Sequence, residues 1–157
     1  MSKPTTIIIN GHPGTGSTTA SNLLAEHFGY EHVYGGQIFR DWAAKEGKSI
    51  EEFMSDLADN PQREREIDDA LLKRATQGNA IIESRVLAWL VPKDAPYFKV
   101  WLTCDFDERV RRIQDRESFS DRAEAAKKIT YREGVDANRY QDLYGISLEY
   151  HSVFDLV

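Results

Sequence analysis

The strongest constraint on this chain lies near its start, where a β-branched run, a glycine-rich turn and the opening of a helix follow one another. Thr5-Thr6-Ile7-Ile8-Ile9-Asn10 leads directly into Gly11-His12-Pro13-Gly14-Thr15-Gly16-Ser17-Thr18-Thr19. Glycines at 11, 14 and 16 let the backbone adopt positive φ and approach a ligand closely. Successive N–H groups then face one concavity, and the next helix adds its unpaired donors and the positive end of its dipole. This is the build of a phosphate-binding P-loop. The pattern asks for lysine just after its second glycine, yet Ser17 stands there. Thr18 holds the position whose hydroxyl can contact Mg²⁺. Ala20, Leu23, Leu24, His27 and Phe28 recur at helical spacing and predict that the loop feeds an amphipathic helix.

With 157 residues, 41% of them hydrophobic, the chain suits a single soluble domain over 1–157 with one sizeable core. No apolar run approaches the roughly 20 residues that cross a bilayer, and the first residues lack the basic-then-apolar order of a signal peptide. Cys104 is the only cysteine, which excludes an intrachain disulfide framework and a cysteine zinc cluster. A reducing, cytoplasmic setting is therefore expected, with no membrane partner. The net charge of −6 argues against broad nucleic-acid binding.

Apolar runs and turn signals alternate in a β-α order. Strands are expected over 5–10, 32–34, 80–83, 98–103 and 153–157, giving a five-stranded parallel sheet with helices on both faces. Ser49 and Glu52 form a capping box ahead of Ile50, Phe53, Met54 and Leu57. Asn60-Pro61 opens another helix that stops near Gly78. Asp105 with Glu108 signals a further start, with Phe106, Val110 and Ile113 on one face. A long polar helix follows over about 120–144 and stops at Gly145. Ligands in such sheets sit beyond the strands' carboxyl ends. The glycine loop, Gly35-Gly36, Glu83 and Cys104-Asp105 should therefore ring one cleft. The run over 153–157 reads as an interior strand that a covering helix would normally follow, so a C-terminal helix is expected to be missing.

Glu83 ends an apolar strand, where a carboxylate can orient Mg²⁺ or its waters. Arg85 points toward the same cleft and can fork onto a phosphate. Arg40, just after the Gly35-Gly36 pair, is a second candidate for holding an acceptor's phosphate. Arg109, Arg112 and Arg116 are spaced i, i+3, i+7, and Arg132, Asp136 and Arg139 are spaced i, i+4, i+7. A helix pair joined over 117–121 would turn both sets toward one space. Such a lid suits phosphoryl transfer, whose transition state spreads negative charge that arginines stabilise. Taken alone, the interleaved Asp107, Glu108, Asp115 and Glu133 fit a solvated, salt-bridged pair better; with the P-loop in the same domain, a lid is the expectation.

The segments GHPGTGSTT, GGQIFRDWA, IIESRVLAWL, the arginine-bearing helix over 105–117 and YREGVDANRYQDLYGI together resemble the cytidylate kinases. The likeness is to the compact archaeal-type branch of the nucleoside monophosphate kinases and covers nearly the whole chain. It implies a P-loop kinase fold, acceptor-binding helices over about 36–78 and a lid over about 109–140. It also implies transfer of the γ-phosphoryl group of Mg·ATP to CMP or dCMP by a monomer. Gly11, His12, Pro13, Gly14, Thr15, Gly16, Ser17, Thr18 and Thr19 would hold the ATP phosphates. Arg40 and Arg85 would hold the monophosphate, and Thr18 and Glu83 would face Mg²⁺. Arg132, Arg139 and Arg116 would stabilise the transferring group. The chain departs from the family at Ser84, where glycine is usual, and at His12, where proline is common. Archaeal-type relatives often carry threonine at the position of Ser17. Two other readings stay open: a P-loop kinase for another small acceptor (AMP, UMP or a metabolite), and a nucleotide-binding module impaired in catalysis.

Overall fold

The computed structural model describes residues 5–157, apart from the side chains at positions 50 and 51, where the expectation for Ile50 falls. Four strands, β1 (Thr6–Gly11), β2 (Glu31–Tyr34), β3 (Ala80–Glu83) and β4 (Tyr97–Leu102), form one parallel sheet in the order β2-β3-β1-β4. β1 lies in the middle, with Ile8 opposite Ile82 on one side and Lys99 on the other. Ile8, Ile9, Ile81 and Ile82 are at most 1% exposed, as strands covered on both faces require. Each such side chain contributes on the order of 1.5–3 kcal/mol by leaving water.

The helices are α1 (Ser17–Phe28), α2 (Gly35–Lys45), α3 (Ile50–Ala58), α4 (Pro61–Ala75), α5 (Leu87–Leu90), α6 (Phe106–Glu117) and α7 (Arg122–Tyr144). The capping box of α3 is formed by Ser49 and Glu52, and Asn60 caps α4 ahead of Pro61. Phe53, Leu57, Ile67 and Ala43 pack α2, α3 and α4 into a small core of their own. Val110, Ile113, Ala125 and Ile129 do the same for α6 and α7. On α1 the buried stripe runs through Ser21, Leu24 and Ala25, while Leu23 and Phe28 face solvent, a rotation from the expected face.

The expected fifth strand is the main departure, because the sheet has four strands. Residues 153–157 contribute one isolated parallel bridge, Val100 to Leu156. A turn at Phe154 N–H to His151 O precedes it; the Asp155 carboxylate accepts from the Lys99 amide at 2.7 Å, and the backbone bonds to β4 are confined to Asp155 and Leu156. Leu156 and Val157 are more than half exposed, so the run buries no second face.

Strand order also fixes the site. From β1 the chain crosses over β3 to reach β2, and from β3 it crosses over β1 to reach β4. The crevice at the carboxyl ends of β1 and β3 is thus the switch point where such sheets bind ligands. The glycine loop and Glu83 border it.

Candidate active site

The loop between β1 and α1 owes its path to two glycines for different reasons. Gly14 has φ +84°, and a Cβ there would sit 3.1 Å from the Arg109 backbone oxygen. Gly11 lies within β1 with ordinary φ, but a Cβ would meet Thr15 Oγ1 at 2.6 Å. That hydroxyl is already donating to His12 O at 2.9 Å, which closes the turn. Gly16 caps α1 without any side-chain bond to the first helical amides, so those donors remain open toward the groove.

Glu83 sits at the centre, 7% exposed. Ser17 and Thr18 hydroxyls both donate to its Oε1, at 2.7 and 2.9 Å. Its Oε2 lies 3.3 Å from His32 Nε2, and His32 Nδ1 lies 2.7 Å from Asn22 Oδ1. His32 therefore bridges α1 to Glu83, a positioning contact that no motif in the sequence announced. Arg85 donates from Nη1 to Gly11 O at 2.5 Å, and its Nε stands 3.6 Å from Asp136 Oδ2. Ser84 is engaged too: its hydroxyl accepts from the Val86 and Leu87 amides in the turn that enters α5, while its own amide donates to Ile9 O.

Two clefts, each about 440 Å³, open from this centre. One is the phosphate groove along Pro13–Thr19, walled by Arg112, Arg116 and Glu117. The other runs toward α2, α3 and α4 between Phe39, Met54, Ile67 and Leu71, and includes Arg40 and Asp68. Ser17, Tyr34, Glu83, Arg85 and Arg132 line both clefts. Arg40 is exposed, sits 5.4 Å from the Tyr34 ring centroid, and makes no ion pair with the described residues.

The helix-pair arginines divide into separate roles. Arg109 is buried; it pairs with Glu133 and donates to Pro13 O at 3.3 Å, which clamps α6 onto the loop. Arg112 reaches Thr15 O at 3.2 Å and Glu108 at 2.8 Å. Arg132 makes a two-pronged pair with Glu117, at 2.8 and 3.1 Å, and Arg116 and Lys128 converge on the same carboxylate. Burial opposes the ionised form of Glu117, but the bonds from Arg132 and Lys128 outweigh it and hold its carboxyl down at about 2. Arg139 lies away from the groove, on the acceptor side. It stands 2.7 Å from Glu64 Oε1 and 3.4 Å from Asp136 Oδ1, and donates to Tyr140 Oη. Thus Arg116 and Arg132 meet at the phosphate groove, whereas Arg139 does not reach it.

His12 occupies the loop with its ring edge-on to Trp101 at 5.1 Å, its Nδ1 3.6 Å from Glu133 Oε1. Burial lowers its pKa, so the neutral ring is favoured. Burial raises the carboxyls of Asp68, which lines the acceptor cleft, and of Glu64, one turn earlier on α4. Among the described residues no cluster of three or more His, Cys, Asp or Glu side chains could hold a metal. The paired oxygens of Thr18 and Glu83 are nonetheless hard donors of the kind Mg²⁺ accepts, since that ion is commonly held by one or two protein groups plus phosphates and waters.

The parallel sheet, loop and flanking clefts define a P-loop kinase. Solved structures agree at the level of fold. A shikimate kinase from Acinetobacter baumannii superposes with a TM-score of 0.60 at 16% identity, covering 98% of this chain and 81% of that one. An uncharacterized protein from Eubacterium ventriosum reaches 0.74 at 16% identity, covering 98% and 87%. An AAA domain family matches residues 7–139. Closer in sequence are cytidylate kinases from Pyrococcus horikoshii, 40% identical over 96% of this chain and 77% of that protein, and Methanopyrus kandleri, 37% identical over 96% and 82%. The chain belongs to the cytidylate kinases, in the archaeal-type branch of the P-loop nucleoside monophosphate kinases, and is a phosphotransferase. No helix among the described residues is long and apolar enough to cross a membrane.

Proposed function

We propose that this chain transfers the γ-phosphoryl group of Mg·ATP to CMP or dCMP. The observation that carries the reading is the meeting of two clefts at Ser17, Tyr34, Glu83, Arg85 and Arg132. A transfer between two bound substrates needs such a shared boundary, with donor phosphates on one side and acceptor phosphate on the other. The cytosine choice follows the named activity of the relatives.

The loop amides and the open N-terminus of α1 hold the donor's phosphates. Arg40 and Arg85 hold the acceptor's phosphate, the first without an ion pair among the described residues and the second bonded to the end of β1 at Gly11 O. The attacking oxygen is already anionic near neutral pH, so no general base is required. Positioning and charge neutralisation then supply the rate. Arg132, at the shared boundary, meets the transferring group, and Arg116 stands beside it in the groove. Arg139 is placed to steady Asp136 and, through it, Arg85. Thr18 and Glu83 would hold Mg²⁺, which neutralises phosphate charge when bound. The protein is proposed to act as a cytoplasmic monomer on small-molecule substrates, with acceptor helices over 36–78 and a lid over 109–140.

Steady-state ADP release with Mg·ATP and CMP, dCMP, UMP or AMP tests this. CMP and dCMP should give the highest kcat/KM. Equal or greater turnover of UMP or AMP would overturn the cytosine choice, and ATP binding without acceptor-dependent ADP would overturn the kinase reading.

A further inference from the structure

We propose that Asp68 reads the exocyclic amino group of the acceptor's base, which makes it a specificity-determining residue. This rests on the reading of the second cleft as the acceptor site. No sequence motif pointed to a base-reading group; the structure supplies one.

Asp68 lies on α4, is 7% exposed, and lines the acceptor cleft but not the phosphate groove. One wall of the cleft is apolar, with Phe39, Met54, Ile67 and Leu71 offering faces against which a flat ring can lie, and Arg139 lines the cleft close enough to act on the charge of Asp68. Leu71 also approaches Gly35, where a Cβ would stand 3.4 Å from its Cδ1. A carboxylate buried in such surroundings is costly unless hydrogen-bonded. One of its oxygens is served, since Tyr144 Oη donates to Oδ2 at 2.6 Å. Oδ1 takes no hydrogen bond from the described residues and is left as an acceptor for a ligand. Tyr144 is itself held by its stack on Tyr140, with centroids 6.5 Å apart.

The selectivity follows from what each base presents. Cytosine carries an N4 amino group, a donor at its outer edge, beside the acceptor N3. Uracil carries O4 in that place, an acceptor, so its lone pairs would oppose Oδ1. Uracil's one ring N–H is flanked by two carbonyls, which oppose the carboxylate from either side. A site that hydrogen-bonds a substrate group rejects an analogue without it, because the buried partner is then left unmatched. Adenine presents an amino group as well, so Asp68 separates amino from keto bases, and the walls of the cleft must separate ring sizes.

The test reads binding first, by calorimetric titration of CMP, UMP and the monophosphate of pyrimidin-2-one riboside, which is cytidine lacking the 4-amino group. The wild-type protein should bind CMP at least about tenfold more tightly than either of the other two. Asp68→Leu should erase most of that difference by weakening CMP, while ATP affinity stays unchanged. Tyr144→Phe should keep the order of preference at reduced strength. Equal affinity of the wild type for CMP and the deaminated analogue, within twofold, would overturn the assignment without any variant being needed. A folded Asp68→Leu protein that discriminates as the wild type does would overturn it too, as would failure of the wild type to bind any pyrimidine monophosphate. Amino-selective binding of CMP without ADP release would instead sink the phosphoryl-transfer reading and leave Asp68 assigned.

Discussion

Ser17 stands where a P-loop lysine would reach the phosphates, and its hydroxyl is turned instead onto Glu83. The positive charge near the groove comes from elsewhere: Arg85, Arg112, Arg116 and Arg132 all line it. Charge-assisted hydrogen bonds contribute roughly 1.5–3 kcal/mol each, so one arginine at the transferring group matters to the rate. Arg132→Ala should lower kcat at least about tenfold, a cost of about 1.4 kcal/mol in the barrier. Near-wild-type turnover in that variant would remove Arg132 from the transfer step. His32 acts indirectly, by holding Glu83 Oε2. His32→Ala should raise the Mg²⁺ concentration needed for half-maximal rate, and His32→Gln should recover part of it, since an amide can still bridge Asn22 and Glu83. An unchanged Mg²⁺ requirement in His32→Ala would make the contact merely structural. Some of these residues were readable from the chain: glycine spacing marked the loop, and strand-end placement marked Glu83 and Arg85. His32 and Asp68 were not, because their roles arise where β2 meets α1 and where α4 meets α7, contacts that no local pattern encodes. Arg139 was placed by helical spacing and by the family resemblance, and neither reveals its pairing with Glu64 on another helix, on the acceptor side.

The helices followed their start signals closely, since capping is decided within four residues of sequence; Ser49 with Glu52 and Asn60 with Pro61 both appear as expected. The terminal run failed as a strand for a non-local reason: an apolar run becomes an interior strand only if both its faces are covered, and Leu156 remains 55% exposed. The helix pair shows a similar limit. Its arginines were legible as a set, but Arg109 on α6 bonds the loop and pairs with Glu133 on α7, so both helices are tied to the loop, and the Arg116–Glu117–Arg132 junction stands where the pair meets the groove. Gly134 lies in the middle of α7, exposed, and a Cβ there would meet nothing within 4 Å. Glycine in a helix interior costs about 1 kcal/mol relative to alanine. Gly134→Ala should therefore stabilise the protein by about 0.5–1 kcal/mol in urea denaturation. No gain would mean that α7 draws its stability from packing alone at that point. The junction also predicts a pH response. Glu117 titrates near 2 when folded and near its ordinary 4.5 when unfolded, so the unfolded state binds its proton more tightly. Its stabilisation is complete above about pH 4.5 and fades as pH falls toward 2. Glu117→Gln should flatten that acid limb of a melting-temperature profile, and an unaltered limb would place the acid sensitivity elsewhere.

The molecule as a whole joins two small cores, that of α2–α4 and that of α6–α7, to one central sheet, with the substrate clefts running between them. Ligands bound on either side of Ser17, Glu83 and Arg132 would share those groups, so the two binding events should be coupled in free energy. A ligand at 100 times its Kd stabilises a folded protein by about 2.7 kcal/mol. For a domain of this size that is a rise of roughly 5–10 °C in Tm. Mg·ATP alone and CMP alone should each approach that rise at such concentrations. A non-hydrolysable ATP analogue and CMP together should exceed the sum of the two, because the first ligand orders residues that the second also uses. Arg132→Ala, by emptying the shared boundary of its cation, should reduce each single-ligand shift and bring the joint effect back to the sum of the two. Strict additivity in the wild-type protein would mean that the clefts meet in space without communicating. The shared residues would then be a steric boundary rather than a common binding surface.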